Sequence, residues 1–338
     1  MAARPMLYTS GTTGTPEGVY TGVLDECDAE ALLSEERDLW GFAPDDVHLV
    51  ASPLHHSAPL RFAGGTLLAG GSVLLPGRFE AGAFAAAIAE HQPTTAFVVP
   101  AHLQRLAALG DLPSMASFRC LVHAGSVCPE SLKRRWLGLV PDGALWEFYG
   151  STEGQFAVCA PGEWLDRPGT VGRARLGRAL SIDNDGMIWC RTPSHARFEY
   201  WRDPARTASA WRGDAFTVGD LGRLDEHGHL FLDGRRDDLV VTGGVNVYPL
   251  EVERALLTHP DVREAAVFDA DDEQWGQRVC AAVAGRADRG VDGEALQAWM
   301  RGHVAPHKVP KEIVVVDAIP VSSMGKVRRS QLAQALGL

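Results

Sequence analysis

The sequence lacks the features that mark membrane, secreted and zinc-binding proteins. No apolar run approaches the ~18 residues of a membrane helix, and the N-terminus has no apolar segment followed by a small-residue cleavage site. The six cysteines are scattered without C-x-x-C spacing, so neither a zinc knuckle nor a disulfide framework is indicated. We therefore expect a cytoplasmic protein with reduced thiols and no membrane span.

The chain also lacks an excess of basic residues. Its 32 Lys and Arg against 43 Asp and Glu give a formal net charge of −11, which opposes nonspecific attraction to nucleic acid. We expect no nucleic-acid partner, and a polyanionic ligand would need a local basic pocket. The 338 residues suffice for about two domains.

Short apolar runs alternate with amphipathic patterns as far as residue 149. The runs predict buried strands at 7–9, 47–51, 72–75, 95–99, 120–123 and 145–149. The amphipathic patterns predict helices at 79–91, 101–109 and 129–140. Such alternation is typical of an α/β fold with a largely parallel sheet.

The pattern changes after about residue 150. Turn signals at 184–186 and 225–229 each separate short apolar runs, which predicts β-hairpins and a β-rich subdomain. From residue 249 onward, a small α+β domain is predicted with helices at 249–259, 293–304 and 329–336 and strands at 265–268, 279–283 and 312–316. The polar stretch 234–238 is the best candidate for a domain boundary.

A loop rich in glycine and hydroxyl groups follows the first predicted strand. Residues 8–19 read Tyr-Thr-Ser-Gly-Thr-Thr-Gly-Thr-Pro-Glu-Gly-Val. The glycines let backbone N–H groups turn toward a phosphate without interference from Cβ atoms, and the hydroxyls add donors. The segment is not a Walker A loop, because no register fits G-x-x-x-x-G-K-[ST]. A flexible surface linker is the structural alternative.

This loop resembles the phosphate loop of the adenylate-forming superfamily of acyl-CoA synthetases, acyl-adenylating enzymes and beetle luciferases. Further motifs follow in the order of that family, at residues 52–56, 148–154, 168–173, 217–220, 234–238, 243–253 and 325–326. The likeness covers nearly the whole chain and is strongest to bacterial fatty-acyl-CoA synthetases. It implies a large adenylation domain at 1–234, a hinge at 235–238 and a small, mobile C-terminal domain at 239–338.

The resemblance also assigns residues to the ATP phosphates. The loop residues that it implies as phosphate contacts are Thr9, Ser10, Gly11, Thr12, Thr13 and Gly14. Thr152 would touch the α-phosphate, and Glu153 would hold Mg2+. Their hydroxyl and carboxylate follow a predicted strand, where hard oxygen ligands suit a metal that bridges phosphates.

The nucleoside has its own implied residues. Asp220 would accept hydrogen bonds from both ribose hydroxyls, and Arg235 would donate to the same sugar. Tyr149 would stack on adenine, with Gly150 next to it, and Gly125 would allow the backbone to approach the base. Outside this context, a core tyrosine and a turn glycine would be the ordinary interpretations.

The remaining implied residues serve the acyl group and CoA. Lys326 would contact the carboxylate and the α-phosphate together, and one such contact is worth about 4 kcal/mol before desolvation. His56 would border the acyl pocket, and Asp237 would be the hinge. Gly243 and Gly244 would make room for the pantetheine arm of CoA.

These features together predict an AMP-forming acyl-CoA synthetase with ATP, Mg2+ and CoA as cofactors and an aliphatic or aromatic carboxylate as substrate. Two alternatives stay open. One is a degenerate partner protein that binds nucleotide or acyl-adenylate without turnover. The other is an adenylating enzyme that loads a carrier protein instead of CoA.

The sequence departs from the family pattern at two places. The family has a long segment before the phosphate loop, which here starts near residue 8. We therefore expect exposed apolar surface and strand edges, covered in a homodimer or by a partner subunit. In the loop itself, Glu17 stands where the family has lysine.

The second departure yields a prediction. Since Glu17 places a negative charge where the family has a positive one, Glu17→Lys should lower the apparent dissociation constant for ATP. Calorimetric titration with MgATP measures this constant. An unchanged or weaker affinity would show that Glu17 does not face the phosphates.

Overall fold

A computed structural model describes residues 2–3, 5–9, 16–286, 290–321, 327 and 329–338. The chain divides into two compact units. The first comprises Met1–Val218 and Arg223–Phe231, and the second comprises Gly219–Gly222 and Leu232–Leu338.

The first unit mixes parallel and antiparallel strands with helices. Its described strands are β1 (Ala2–Ala3), β2 (Leu7–Thr9), β3 (Glu17–Tyr20), β4 (Val23–Leu24), β5 (Val47–Val50), β6 (Ser72–Leu74), β7 (Thr95–Val98), β8 (Cys120–His123), β9 (Leu145–Gly150), β10 (Gln155–Cys159), β11 (Arg173–Ala174), β12 (Ala179–Ile182), β13 (Ile188–Arg191), β14 (Glu199–Tyr200), β15 (Trp211–Arg212) and β16 (Ala215–Phe216). Its described helices are α1 (Glu26–Trp40), α2 (Ser57–Leu68), α3 (Ala81–His91), α4 (Pro100–Ala107), α5 (Glu130–Leu137), α6 (Pro161–Asp166) and α7 (Pro204–Ala210).

The largest sheet has the order β11-β10-β9-β8-β7-β5-β6 within the described chain. The strands from β6 to β9 are paired in parallel, and β10 and β11 are antiparallel additions. Leu49 and Val98 point into one apolar cluster, while Phe97 and Val122 point into another. The strands are therefore covered on both faces, as expected for a parallel sheet. This confirms the predicted fold class.

The first predicted strand belongs elsewhere. Leu7–Thr9 was expected to be a buried strand of the parallel sheet, but β2 pairs antiparallel with β3 in a separate sheet of order β14-β3-β2. Tyr8 on this strand is 56% exposed. A three-residue apolar run does not reveal its pairing partner, which explains the error.

Four helices of this unit, α1, α2, α6 and α7, were missing from the prediction. In α1, Asp25 accepts a hydrogen bond from the backbone N–H of Asp28, and Gly41 ends the helix in the left-handed conformation at φ 62°. Only Glu36 and Trp40 of α1 are buried, so the helix has little apolar periodicity. Another missing helix, α2, covers most of the apolar segment 58–71.

A smaller antiparallel sheet of order β12-β13-β16-β15 follows, as predicted for the β-rich subdomain. Residues 183–187 form the turn of its first hairpin, in which Asp183 accepts hydrogen bonds from two backbone N–H groups. Phe198, Trp211 and Phe216 pack against one another beside this sheet.

The second unit is α+β, as predicted. The strands assigned wholly or partly to it are β17 (Asp220–Leu224), β18 (Leu230–Arg235), β19 (Val240–Thr242), β20 (Val245–Val247), β21 (Val262–Asp272), β22 (Gly276–Gly285) and β23 (Glu312–Val316), and its described helices are α8 (Pro249–Leu257), α9 (Gly293–Met300) and α10 (Arg329–Leu336). β21 and β22 form a hairpin longer than predicted, and β23 joins β22 in parallel. Val267 and Leu256 lie in its buried core.

Several large apolar side chains lie on the surface of the first unit. Leu67 and Leu68 near the end of α2 are 59% and 74% exposed, and Leu75 after the edge strand β6 is 64% exposed. The homodimer or partner subunit stays a prediction. Among the described residues, none of the helices has both the length and the apolar character needed to cross a lipid bilayer.

Buried histidines, His48 and His102 among them, make the stability of the first unit depend on pH. Burial lowers the pKa of His48 and of His102 to about 4. His48 lies in β5, where its Nδ1 is 2.8 Å from the hydroxyl of Thr95. Between pH 6.5 and 4, the unfolded chain binds a proton at each imidazole that the folded chain does not bind. Stability is therefore lost as the pH falls through this interval.

We predict that His48→Asn reduces this dependence on pH. At pH 5 relative to pH 7.5, the wild-type protein should lose about 2 kcal/mol of unfolding free energy through His48 alone, so the total loss in the variant should be smaller by about this amount. Urea unfolding at the two pH values measures the difference. The exposed His227 provides the control His227→Asn, which should behave as the wild type; equal pH dependence in all three proteins would refute the prediction.

Candidate active site

The predicted phosphate loop connects two paired strands. β2 and β3 are antiparallel, and Thr9 is the register partner of Glu17. The two ends of the loop therefore lie side by side at one end of this hairpin. The predicted contacts Ser10, Gly11, Thr12, Thr13 and Gly14 lie outside the described residues, so their roles stay predictions.

Thr152 and Glu153 lie in the tight turn between β9 and β10. The backbone N–H of Ser151 donates to the carbonyl of Gly154 at 2.8 Å. A Cβ at Gly150 would lie 2.7 Å from that same carbonyl oxygen, so the turn requires glycine there. The turn follows a strand whose last residues are largely buried, which places both side chains at the carboxyl edge of the parallel strands.

Glu153 is oriented by a residue from a distant part of the chain. The Tyr200 hydroxyl donates a 2.8 Å hydrogen bond to Glu153 Oε1. Burial, the nearby charge of Glu153 and this hydrogen bond raise the pKa of Tyr200 far above its ordinary value. Tyr200 therefore keeps its proton and acts as a neutral donor that holds the carboxylate in place.

The residues predicted to contact adenine follow or end neighbouring parallel strands. Gly125 comes shortly after β8 and has φ +95°, a conformation that favours glycine. A Cβ there would lie 3.4 Å from Val99 Cγ1, just beyond β7. Tyr149 is only 8% exposed, and its ring centroid is 4.8 Å from that of Phe156. The structure thus gives Tyr149 a core contact, and stacking on adenine stays a prediction.

His56 is the residue that precedes α2, and its backbone N–H donates to the carbonyl of Pro53. Its ring lies 4.2 Å from that of His55. Across the described ranges, no group of three or more His, Cys, Asp and Glu side chains could hold a metal ion. The place of His56 at the acyl pocket stays a prediction.

In the second unit, the two residues predicted to bind ribose lie in contact. Asp220 begins β17 and Arg235 ends β18, and Arg235 Nε donates to Asp220 Oδ1 at 2.9 Å. The backbone N–H of Arg236 also donates to the carbonyl of Gly219 at 2.8 Å. This hairpin end presents a carboxylate acceptor and guanidinium donors together, the two kinds of group that sugar hydroxyls need.

Gly243 and Gly244 form the two-residue turn between β19 and β20. Their φ angles of +57° and +79° are those of a tight hairpin that only glycine adopts without strain. A Cβ at Gly243 would lie 2.5 Å from Trp275 Cε3. Turn geometry and the indole therefore explain Gly243 without reference to CoA.

Lys326 lies outside the described residues, although Val321 and Val327 on either side of it form an antiparallel bridge. Asp237 lies in the short 3₁₀ turn Arg236–Asp238. Arg329, which the sequence analysis did not single out, donates from Nη1 to Asp238 at 2.9 Å and from Nη2 to Glu253 at 2.7 Å. This ties the predicted hinge turn to α8 and α10.

Arg206 is a second arginine that the sequence analysis did not single out. Arg206 in α7 lies with its Nε 3.5 Å from Glu17 Oε1, so the acidic residue of the loop has a cationic neighbour. Its guanidinium carbon is 5.0 Å from the centroid of the Tyr200 ring. Contacts between residues so far apart in sequence leave no local pattern by which they could have been found.

Comparison with known proteins decides the family. The profile of the AMP-binding enzyme family matches residues 5–197, and that of the AMP-binding enzyme C-terminal domain matches residues 251–326. The chain belongs to the AMP-binding enzyme family. Membership confirms the resemblance to adenylate-forming enzymes and, with it, the predicted class of ATP-dependent acid–thiol ligase that uses ATP, Mg2+ and CoA.

Curated relatives are named as CoA ligases. The chain is 35% identical to 2-succinylbenzoate–CoA ligase of Geobacillus kaustophilus, over 98% of this chain and 69% of that protein. It is 33% identical to indoleacetate–CoA ligase of Aromatoleum aromaticum, over 97% and 66%. The chain thus spans about two thirds of the length of these relatives.

Solved structures show the same fold. An amide bond synthetase from Marinactinospora thermotolerans superposes with a TM-score of 0.85 at 30% identity, over 98% of this chain and 69% of that one. The o-succinylbenzoate CoA synthetase of Bacillus subtilis, in complex with its acyl-adenylate intermediate, gives 0.82 at 28% identity, over 97% and 68%.

The residues at the end of β9 fit a magnesium ion that is shared with phosphates. Glu153 has a neutral hydroxyl as its hydrogen-bond donor, so its negative charge is available to a cation. Thr152 adds a second oxygen. Mg2+ is usually bound by one or two protein carboxylates together with substrate phosphates, rather than by an all-protein cage.

We predict that Tyr200→Phe raises the concentration of Mg2+ that activity requires. Loss of the hydroxyl should let Glu153 rotate, and the Mg2+ concentration for half-maximal activity should rise about tenfold, since substitution of such supporting residues typically has effects of this size. Steady-state assays over a Mg2+ series measure it, with the thermal midpoint as a check of folding. Tyr20→Phe serves as the control, and a matching Mg2+ dependence in both variants would contradict the prediction.

Proposed function

We propose that this protein is an AMP-forming acid–CoA ligase whose acid carries an aromatic ring. The observation that carries the proposal is the Asp220–Arg235 contact at 2.9 Å, because it brings together the two residues predicted to bind one ribose. The names of the relatives favour aromatic acids, since they include 2-succinylbenzoate, indoleacetate and feruloyl-CoA enzymes. A fatty acid, as the sequence resemblance suggested, is the alternative substrate.

The proposed reaction has two steps. A carboxylate oxygen of the acid attacks the α-phosphorus of ATP, and the bond to the β-phosphate oxygen breaks to release pyrophosphate. The thiolate of CoA then attacks the carbonyl carbon of the acyl-adenylate and releases AMP. Mg2+ would neutralise phosphate charge during the first step.

Individual residues support these steps as follows. Glu153 would hold the metal and Thr152 would contact the α-phosphate. Lys326 would reduce the repulsion between the two reacting anions. Asp220 and Arg235 would orient the ribose, which keeps the α-phosphorus in line with the carboxylate.

The second step would use the second unit. Gly243 and Gly244 would let the pantetheine arm approach the backbone, and Asp237 would be the pivot between adenylation and thioester formation, at a boundary of 235–238. The Arg329 contacts with Asp238 and Glu253 support a rigid body that begins immediately after this pivot.

The proposal predicts which acids are activated. Carboxylate-dependent exchange of pyrophosphate into ATP, followed by detection of CoA thioester, should be at least tenfold faster with 2-succinylbenzoate, indoleacetate or ferulate than with octanoate. Lys326→Ala should reduce exchange about a thousandfold, from the ~4 kcal/mol of one such contact. The exposed Lys311 provides the control Lys311→Ala.

Other outcomes would identify the alternatives. Faster exchange with octanoate would indicate a fatty-acid ligase. Exchange without thioester would indicate a carrier protein as acceptor, and absence of exchange with all acids would indicate a nucleotide-binding partner protein.

A further inference from the structure

The phosphate loop of this chain ends in an acidic residue. Glu17 is the first residue of β3 and the register partner of Thr9, so it lies where the loop rejoins the sheet. A carboxylate there repels the triphosphate of ATP, whose charge is strongly negative. A member of this family that binds ATP must therefore offset this charge.

Arg206 is the cation that meets Glu17. Its Nε lies 3.5 Å from Glu17 Oε1, and the two side chains are 38% and 23% exposed. At this separation and partial burial, opposite charges interact much more strongly than they would in bulk water. The pair therefore presents little net charge to a phosphate that approaches the end of the loop.

The position of Arg206 is held by several contacts. Its backbone N–H donates to Asp203 Oδ1 at 2.9 Å at the start of α7, and its guanidinium lies over the Tyr200 ring. Tyr200 in turn is the register partner of Val19 in β3. The backbone N–H of Trp201 also donates to the carbonyl of Gly18 at 2.7 Å. The segment that carries Arg206 is thus bound to the strand that carries Glu17.

The same arginine is linked to the proposed metal ligand. The Tyr200 ring that faces Arg206 carries the hydroxyl that donates to Glu153. Among the described residues, Arg206 Nε makes no hydrogen bond, although it is buried. Arg206 therefore contacts both the residue that ends the loop and the tyrosine that donates to Glu153, with donor capacity that Glu17 does not consume.

We propose that Arg206 is the positioning residue that makes this loop compatible with ATP, because its charge offsets Glu17 beside the β- and γ-phosphates. The inference rests on the proposed function, since it presupposes that ATP binds at this loop. Arg206 and Glu17 then act as one functional unit. Loss of Arg206 alone leaves the negative charge of Glu17 unpaired, whereas loss of both side chains' charges restores neutrality.

A double-mutant cycle tests this unit by calorimetric titration with MgATP and with AMP, without acid or CoA. Arg206→Gln should weaken ATP about tenfold, and Glu17→Gln should tighten it about threefold, because a single charge is left unpaired in each. The double variant should lie within about twofold of the wild type. AMP lacks the β- and γ-phosphates, so its affinity should change less than twofold throughout.

Two further variants control for folding and for net charge. Arg206→Lys keeps the charge and should bind ATP within about threefold of the wild type. Arg191→Gln removes an exposed arginine that pairs with Asp214 at 3.2 Å, and it should leave both affinities unchanged. If Arg206→Gln does not fold, as judged by its thermal midpoint, two other measurements still test the proposal. They are the tighter ATP binding expected of Glu17→Gln and the near-wild-type ATP affinity expected of Arg206→Lys.

Three results would overturn the inference while the proposed function stands. They are wild-type ATP affinity in folded Arg206→Gln, an equal loss of ATP and AMP affinity, and a double variant as weak as Arg206→Gln. A wild-type protein that binds neither nucleotide would overturn the proposed function and this inference together.

Discussion

The parallel pairing of the strands from β6 to β9 is the constraint on which the candidate site depends. Parallel strands all end at the same edge of a sheet, so Gly125 after β8 and the turn after β9 are brought to one place although they are distant in sequence. These strands are buried on both faces, and a shift in register would move apolar side chains out of their clusters. The packing of the buried strands therefore determines the relative positions of the site residues that follow them.

Acidic side chains at the candidate site are paired with neighbouring arginines. The chain carries a net charge of −11, yet its proposed ligand is itself an anion. In the first unit Arg206 accompanies Glu17, and in the second Arg235 accompanies Asp220. Such pairs reduce the repulsion of an anionic ligand at the candidate site. The excess of acidic residues over the remaining surface repels nonspecific polyanions.

Much of the fold could be predicted because its signals are local. The strand at 120–123 was predicted to the residue, since four apolar or buried side chains in a row between turn signals allow few alternatives. By contrast, α1 was missed because it is held by its caps and by ion pairs of Glu35 and Glu36 with Arg175 and Arg178, none of which appears as apolar periodicity. The second neighbour of β3 in the sheet that contains β2 lies near residue 200 and was beyond any local pattern.

The candidate site follows the same division. Asp220 and Arg235 were predicted from their motifs and lie in contact, whereas Tyr200, Arg206 and Arg329 act through neighbours that are remote in sequence. The sheet of β2, β3 and β14 has a consequence for biosynthesis. β3 can pair with β14 only after residue 200 has left the ribosome. The strand that ends the loop is therefore among the last parts of the first unit to complete its folding. A nascent chain that pauses earlier exposes an unpaired strand edge, the kind of surface that chaperones recognise.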